Sequence, residues 1–153
     1  MTPLLVLLAA CGARPTTSGE LRTDVEGFGA RAELPPNVLE VRWVAMAAQV
    51  GRSNTGRGDA RVFGWVAVPD SASEWLTSTL GPPHGPRAHW VQDQVAQVLF
   101  TDELRAGLQH NDSRKTWKLG CVRYPAAAAG RGEYRGDVVL DCTEHLYFAL
   151  TAR

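Results

Sequence analysis

Cysteine is scarce in this chain, with three in 153 residues, which excludes a disulfide-dense scaffold. No stretch approaches the roughly 20 apolar residues that a membrane-spanning helix requires. Neither sign of charge is in excess: 16 basic and 16 acidic residues cancel, and no block of like charge stands out. A general grip on nucleic acid needs a basic patch, so no nucleic-acid partner is expected. Nothing recurs at the periods of repeat proteins. The short signatures of common chemistries are missing too. There is no Gly-x-Ser-x-Gly elbow and no carboxylate pair placed for glycosidase work. Gly51 to Gly58 lacks the Lys-Ser/Thr that a phosphate-binding loop needs behind its glycines. No cofactor is expected.

What is present is enough for a core. The apolar fraction is 44%, near the globular average, and the length suits one domain plus a targeting or tether segment. The clearest patterns lie between Trp117 and Leu150. Trp117, Leu119 and Cys121 share one face of a strand, because successive side chains point to opposite sides. From Val138 to Leu150 the same period places Val138, Leu140, Cys142, Leu146, Phe148 and Leu150 on one face, interrupted by Glu144.

The chain opens Met-Thr-Pro-Leu-Leu-Val-Leu-Leu-Ala-Ala-Cys-Gly. Leu8-Ala9-Ala10-Cys11 behind a short apolar core resembles the lipobox of bacterial lipoprotein signal peptides, although no Lys or Arg precedes Arg14. The resemblance implies a signal peptide over residues 1–10 and lipidation of the Cys11 thiol. It also implies a membrane partner through that anchor, in the cell envelope, facing the periplasm or the exterior. It covers this segment alone. Residues 11–36 turn to Arg, Pro, Thr, Ser, Gly and Glu, which reads as a solvated tether. Within it, Leu21, Val25 and Phe28 could make one helical turn. The domain is expected over residues 37–153.

In order, Val38 to Val50 reads as a strand with Leu39, Val41, Trp43, Ala45 and Ala47 on one face. Gly51 to Asp59 reads as a loop, and Arg61 to Val68 as the second strand of a hairpin. That second strand carries apolar residues on both faces. Ser71 and Glu74 fit a capping box opening a helix over 71–80, which Gly81-Pro82-Pro83 stops. Gly81 to Pro86 reads as a rigid loop. Between 88 and 109, Val91, Val95, Val98 and Leu99 form a helical stripe, although Val95 to Phe100 is also an apolar cluster that suits a strand; the spacing favours helix.

In an exported chain, Cys121 and Cys142 are expected to bridge, the alternative being two buried thiols. Pairing them in an antiparallel hairpin centres its turn between Arg131 and Gly132, inside the turn-forming Gly130 to Glu133. That register sets Trp117 against Leu146 and Leu119 against Glu144. For a metal, the weak candidates are His84, His89 and Asp93, since on a helix His89 and Asp93 would share a face. His110 with Asp112, and His145 with Glu144, are looser pairs. Arg-Gly-Asp occurs at Arg57 and at Arg135, both in plausible turns. Trp43 and Trp117 read as core, while Trp90 could line a groove.

The sequence therefore predicts an α+β fold. It would hold an antiparallel sheet of four to five strands, one or two helices on one face, and a disulfide-bridged C-terminal hairpin. The functional expectation is an envelope-anchored lipoprotein acting as a binding or structural accessory module for an unknown envelope partner. Two alternatives stand beside it. One is a small hydrolase using His89, Asp93 or His110; the other is an inhibitor or immunity-type module that blocks a partner enzyme with the Gly81 to Pro86 loop.

Overall fold

A computed structural model describes residues 19–47 and 61–153. Along the chain these form α1 (Val25–Gly29), β1 (Glu40–Met46), β2 (Arg61–Ala67), α2 (Ala72–Leu80), β3 (Gly85–Gln92), α3 (Asp93–Leu99), α4 (Asp102–Ala106), β4 (Gln109–Asn111), β5 (Thr116–Tyr124), β6 (Tyr134–Asp141) and β7 (His145–Ala152), with a 3-10 turn at Ala127–Ala129. The strands pair antiparallel in one sheet of order β1-β2-β7-β6-β5-β3, and β4 is a further partner of β5. The α+β class and the antiparallel sheet are as expected, but seven strands replace the four or five predicted.

Helices cover both faces of the sheet, not one. The central strands explain this, since each is apolar on both sides. Val62 and Val66 of β2, with Leu146, Phe148 and Leu150 of β7, pack under Phe28 of α1 and Leu76 and Leu80 of α2. Phe63 and Trp65 of β2, with Tyr147 and Ala149 of β7, pack under Val95, Ala96 and Leu99 of α3. A strand apolar on both faces must bury both.

The segment expected as tether is folded from residue 19 onward. Asp24 caps α1 by accepting from the Gly27 N–H at 3.0 Å. Phe28 is fully buried, which is worth roughly 2–3 kcal/mol. It reaches the sheet because Gly64 has no side chain: a Cβ there would lie 2.3 Å from the Phe28 ring. Arg22 exchanges backbone hydrogen bonds with Trp43 at 2.8 and 2.9 Å, covering part of the outer side of β1. Residues 11–18 of the expected tether, and the signal peptide before them, lie outside the described residues.

Three further expectations change. The single helix over 88–109 is a strand, β3, followed by the short helices α3 and α4. Val91 satisfies both patterns, and what decides is a backbone partner: β3 pairs with β5 along its whole length, from Gly85↔Arg123 to Gln92↔Thr116. The single strand over 138–150 is two, β6 and β7, folded about a turn where Thr143 takes a positive φ of 79°. The face changes across that turn. Val138 and Leu140 lie with the α3 side, whereas Leu146, Phe148 and Leu150 lie with the α1 and α2 side. Trp117 consequently pairs with Val91 and His110 rather than Leu146. Finally, Ser71 precedes α2 as expected but makes no side-chain cap hydrogen bond, so the capping box is not formed.

The bridge does form. Cys121 and Cys142 are joined in a disulfide with Cα atoms 4.8 Å apart. The pairs Val122↔Asp141, Arg123↔Leu140 and Tyr124↔Val139 continue the register that sets Cys121 opposite Cys142. Toward the start of β5 the neighbour is different, because β4 takes over at Thr116 to Lys118. The disulfide therefore sits at a fork, where β6 leaves β5.

Candidate functional site

Two features of the sheet bear on function: its open edge and its α3-side face. At the β1 end, the chain around Arg22 covers the edge at Trp43. At the β3 end no strand follows among the described residues. The ribbon β3–β5 that forms this edge is unlike the rest of the chain in charge. Its two strands carry three basic residues, Arg87, Lys118 and Arg123, and no Asp or Glu; Arg114 and Lys115 lie just ahead of β5, and Asp93 and Asp112 border the ribbon. The neutral total hides this asymmetry. Trp90 stands 40% exposed on the ribbon, with the Lys118 ammonium 6.0 Å from its ring centre. Its flat neighbourhood follows from Ala88 and Gly120, which pair beside it; a Cβ on Gly120 would meet nothing within 4 Å.

On the α3 side the sheet curls. His89 of β3 brings its ring to 5.4 Å from that of Tyr147 on β7. Beside them is a cleft of about 120 Å³ lined by Arg61, Phe63, His89, Val95, Val138 and Tyr147, among others. Burial, then the charges of Arg123 and Arg61, hold His89 below its ordinary pKa. Burial pushes the Tyr147 phenol well up. Near pH 7 both are therefore neutral hydrogen-bonding groups.

A second cleft, of about 190 Å³, includes Glu40, Arg42, Trp65, Thr101, Leu104 and His145 in its lining. Glu40, Ala67 and His145 lie in one cross-strand row, and the small Ala67 side chain leaves the space between its neighbours open. His145 stacks on Trp65 at 4.8 Å with planes 7° apart. Burial lowers its pKa against the opposing pull of Glu144 and Glu40. Arg42 is already engaged, donating to Leu99 O at 2.8 Å and Val98 O at 3.2 Å and so closing the C-terminal end of α3.

The residues singled out for metal are not brought together. His84 is exposed ahead of β3, and its backbone N–H donates to Arg123 O at 2.7 Å. His89 faces the cleft. Asp93 begins α3, where its Oδ1 accepts from Trp117 Nε1 at 2.7 Å and lies 3.0 Å from His110 Nε2. The shared helical face of His89 and Asp93 fails because residues 85–92 are a strand. Among the described residues, no group of three or more His, Cys, Asp or Glu side chains is placed to hold a metal ion.

What spacing alone does not reveal is the link from Asp93 to His110. The other imidazole nitrogen, Nδ1, lies 2.6 Å from Asp112 Oδ1. The Asp112 bond, and then Asp93, raise the His110 pKa against partial desolvation. With each nitrogen facing a carboxylate, the surroundings favour the imidazolium form, in which both nitrogens donate. The network clamps β4 to the start of α3.

The other loop expectations also change. Gly85 and Pro86 belong to β3 and the His84 N–H donates to Arg123 O, so the end of the Gly81 to Pro86 loop joins the sheet edge. Arg135 to Asp137 lies within β6, at a bulge, and not in a turn. Gly51 to Asp59, with the other Arg-Gly-Asp, falls outside the described residues, as does Cys11.

Scans of family models, of curated proteins and of solved structures each find no match to this chain.

Proposed function

We propose that this protein is a lipid-anchored binding module of the cell envelope, which captures an acidic extended segment of a partner by adding it as a strand beside β3. One observation carries the proposal: the open edge of an eight-residue strand lies in a ribbon whose two strands bear three basic side chains, with two more just ahead of β5, and no carboxylate. Strand addition takes its affinity from backbone hydrogen bonds and its selectivity from the side chains beside the edge. Charge complementarity chooses an acidic partner and speeds its encounter. Trp90 supplies an aromatic anchor of the kind enriched at the centres of interfaces. Pro86, which lacks an N–H, and the charged Arg87 discourage indiscriminate pairing at one end. The stretch from Ala88 to Gln92 is then the receptive part.

Export is supported by the lipobox-like Leu8-Ala9-Ala10-Cys11 and by the Cys121–Cys142 disulfide, which suits an oxidising compartment. Metabolic labelling with a fatty-acid analogue should mark the intact chain and not Cys11→Ala; equal labelling of both refutes the anchor.

The binding test uses a short synthetic peptide in which Glu alternates with Thr, and a control with Lys in place of Glu. The acidic peptide should slow amide exchange within β3 and perturb Trp90 fluorescence. Arg87→Glu with Lys118→Glu should weaken it about tenfold or more, and salt should weaken it as well. Equal binding of the two peptides, or protection elsewhere in the sheet, overturns the proposal.

A further inference from the structure

The cleft beneath the curl borders the edge strand, with His89 to Gln92 of β3 in its lining, and reaches across to β2 and β7. Its walls are apolar: Phe63, Val95 and Val138 contribute to them. Residues with polar side chains line it from three strands: Arg61 of β2, His89 and Gln92 of β3, and Tyr147 of β7. No carboxylate lines it. The carboxylate of Asp137, near the same end of the sheet, is held by the Thr151 hydroxyl and by Arg135 at 3.4 Å.

Arg61 makes no ion pair among the described residues and lies over the Phe63 ring at 5.1 Å. Tyr147, 1% exposed, contributes to the lining. An apolar cleft with a few convergent polar groups is the usual form of a small-ligand site.

We infer that this cleft binds a small carboxylate with a short apolar body: the carboxylate meets Arg61 and the Tyr147 hydroxyl, and the apolar part rests on Phe63, Val95 and Val138. Size sets the class. The cleft has about 120 Å³, and an apolar cavity of about 150 Å³ holds one benzene ring. An acid whose apolar part has three or four carbons, smaller than a benzene ring, therefore fits, and a long acyl chain does not. Charge sets the head group. Arg61 and the nearby Arg123 both favour an anion, and the planar guanidinium matches a carboxylate in two parallel hydrogen bonds. His89, held neutral by its surroundings, can donate one more.

Pentanoate and its uncharged analogue pentanamide serve as probes, followed through the NMR methyl signals of Val138 and Ala149. Pentanoate should shift both signals to saturation, and pentanamide should bind about tenfold more weakly. Arg61→Gln, a change at an exposed position, should cost pentanoate about tenfold and leave pentanamide unaltered. Tyr147→Phe should weaken pentanoate several-fold. Equal binding of the two probes, indifference to Arg61→Gln, or no saturable shift at Val138 and Ala149 up to about 10 mM overturns the inference. The cleft shares Trp90 to Gln92 with the receiving strand, but its readout is the Val138 and Ala149 methyls and the probe's charge, whereas peptide addition is read by amide protection along β3, so failure of one is distinguishable from failure of the other.

Discussion

The imidazole of His89 lies 5.4 Å from the phenol ring of Tyr147, although β5 and β6 stand between their strands in the sheet. In a flat sheet, three spacings of about 4.8 Å would hold their backbones roughly 14 Å apart, with both side chains perpendicular to it. The sheet must therefore be strongly curled around α3, in keeping with the twist that antiparallel strands adopt. Curling closes the cleft on one side and leaves β3 as an edge on the other.

The Cys121–Cys142 bridge closes a loop of separation 21 at the fork where β6 leaves β5. In the chain-entropy view this is worth about 3 kcal/mol. Cys121→Ser with Cys142→Ser should lower unfolding stability by about that amount in urea. Amide exchange should rise first around Gly120 and Cys142, where β5 loses its tie to β6. An unchanged midpoint, with uniform exchange, would show that packing alone holds the fork.

Phe28 joins the N-terminal segment to the sheet, lying 5.6 Å from Phe148 and 5.9 Å from Trp43 between ring centres. Phe28→Ala should cost about 3–5 kcal/mol, as for a large aromatic lost from a core. Gly64→Ala should also destabilise, since the new Cβ meets the same ring. If Phe28→Ala changes the denaturation midpoint no more than a surface mutation does, the segment is not part of the cooperative unit.

His110 titrates above its ordinary value because Asp112 and Asp93 favour its charged form. A group whose pKa is raised on folding adds stability that is fully present below the unfolded value of 6.5 and is lost as pH rises through the folded value. The stability difference between wild type and His110→Gln should therefore be largest in mild acid and shrink toward alkaline pH. NMR titration should place the His110 midpoint above those of His89 and His145, both of which are lowered, chiefly by burial. The reverse order would dissolve the proposed clamp.

Much of the framework was legible in the residues alone. Alternation marked β1 and β5, because a strand in a sheet repeats its environment every second residue, and an apolar run between a glycine-rich loop and Pro69 marked β2. Pairing Cys121 with Cys142 gave the register that β5 and β6 adopt, since in an antiparallel hairpin one pair determines all the others. The arrest of α2 by Gly81-Pro82-Pro83 was equally local.

Only the tertiary structure decided what lay between these elements. Val91 and Val95 fit one helical stripe, yet one belongs to β3 and the other to α3, because β5 offered hydrogen-bonding partners that no local pattern reports. The apolar alternation through Cys142 hid a turn and a change of face. A neutral charge total hid a basic edge. His89 and Tyr147 meet only because the sheet bends. Periodicity tells a residue which side of its own strand is buried, whereas curvature, edges and clefts arise from how distant strands pair.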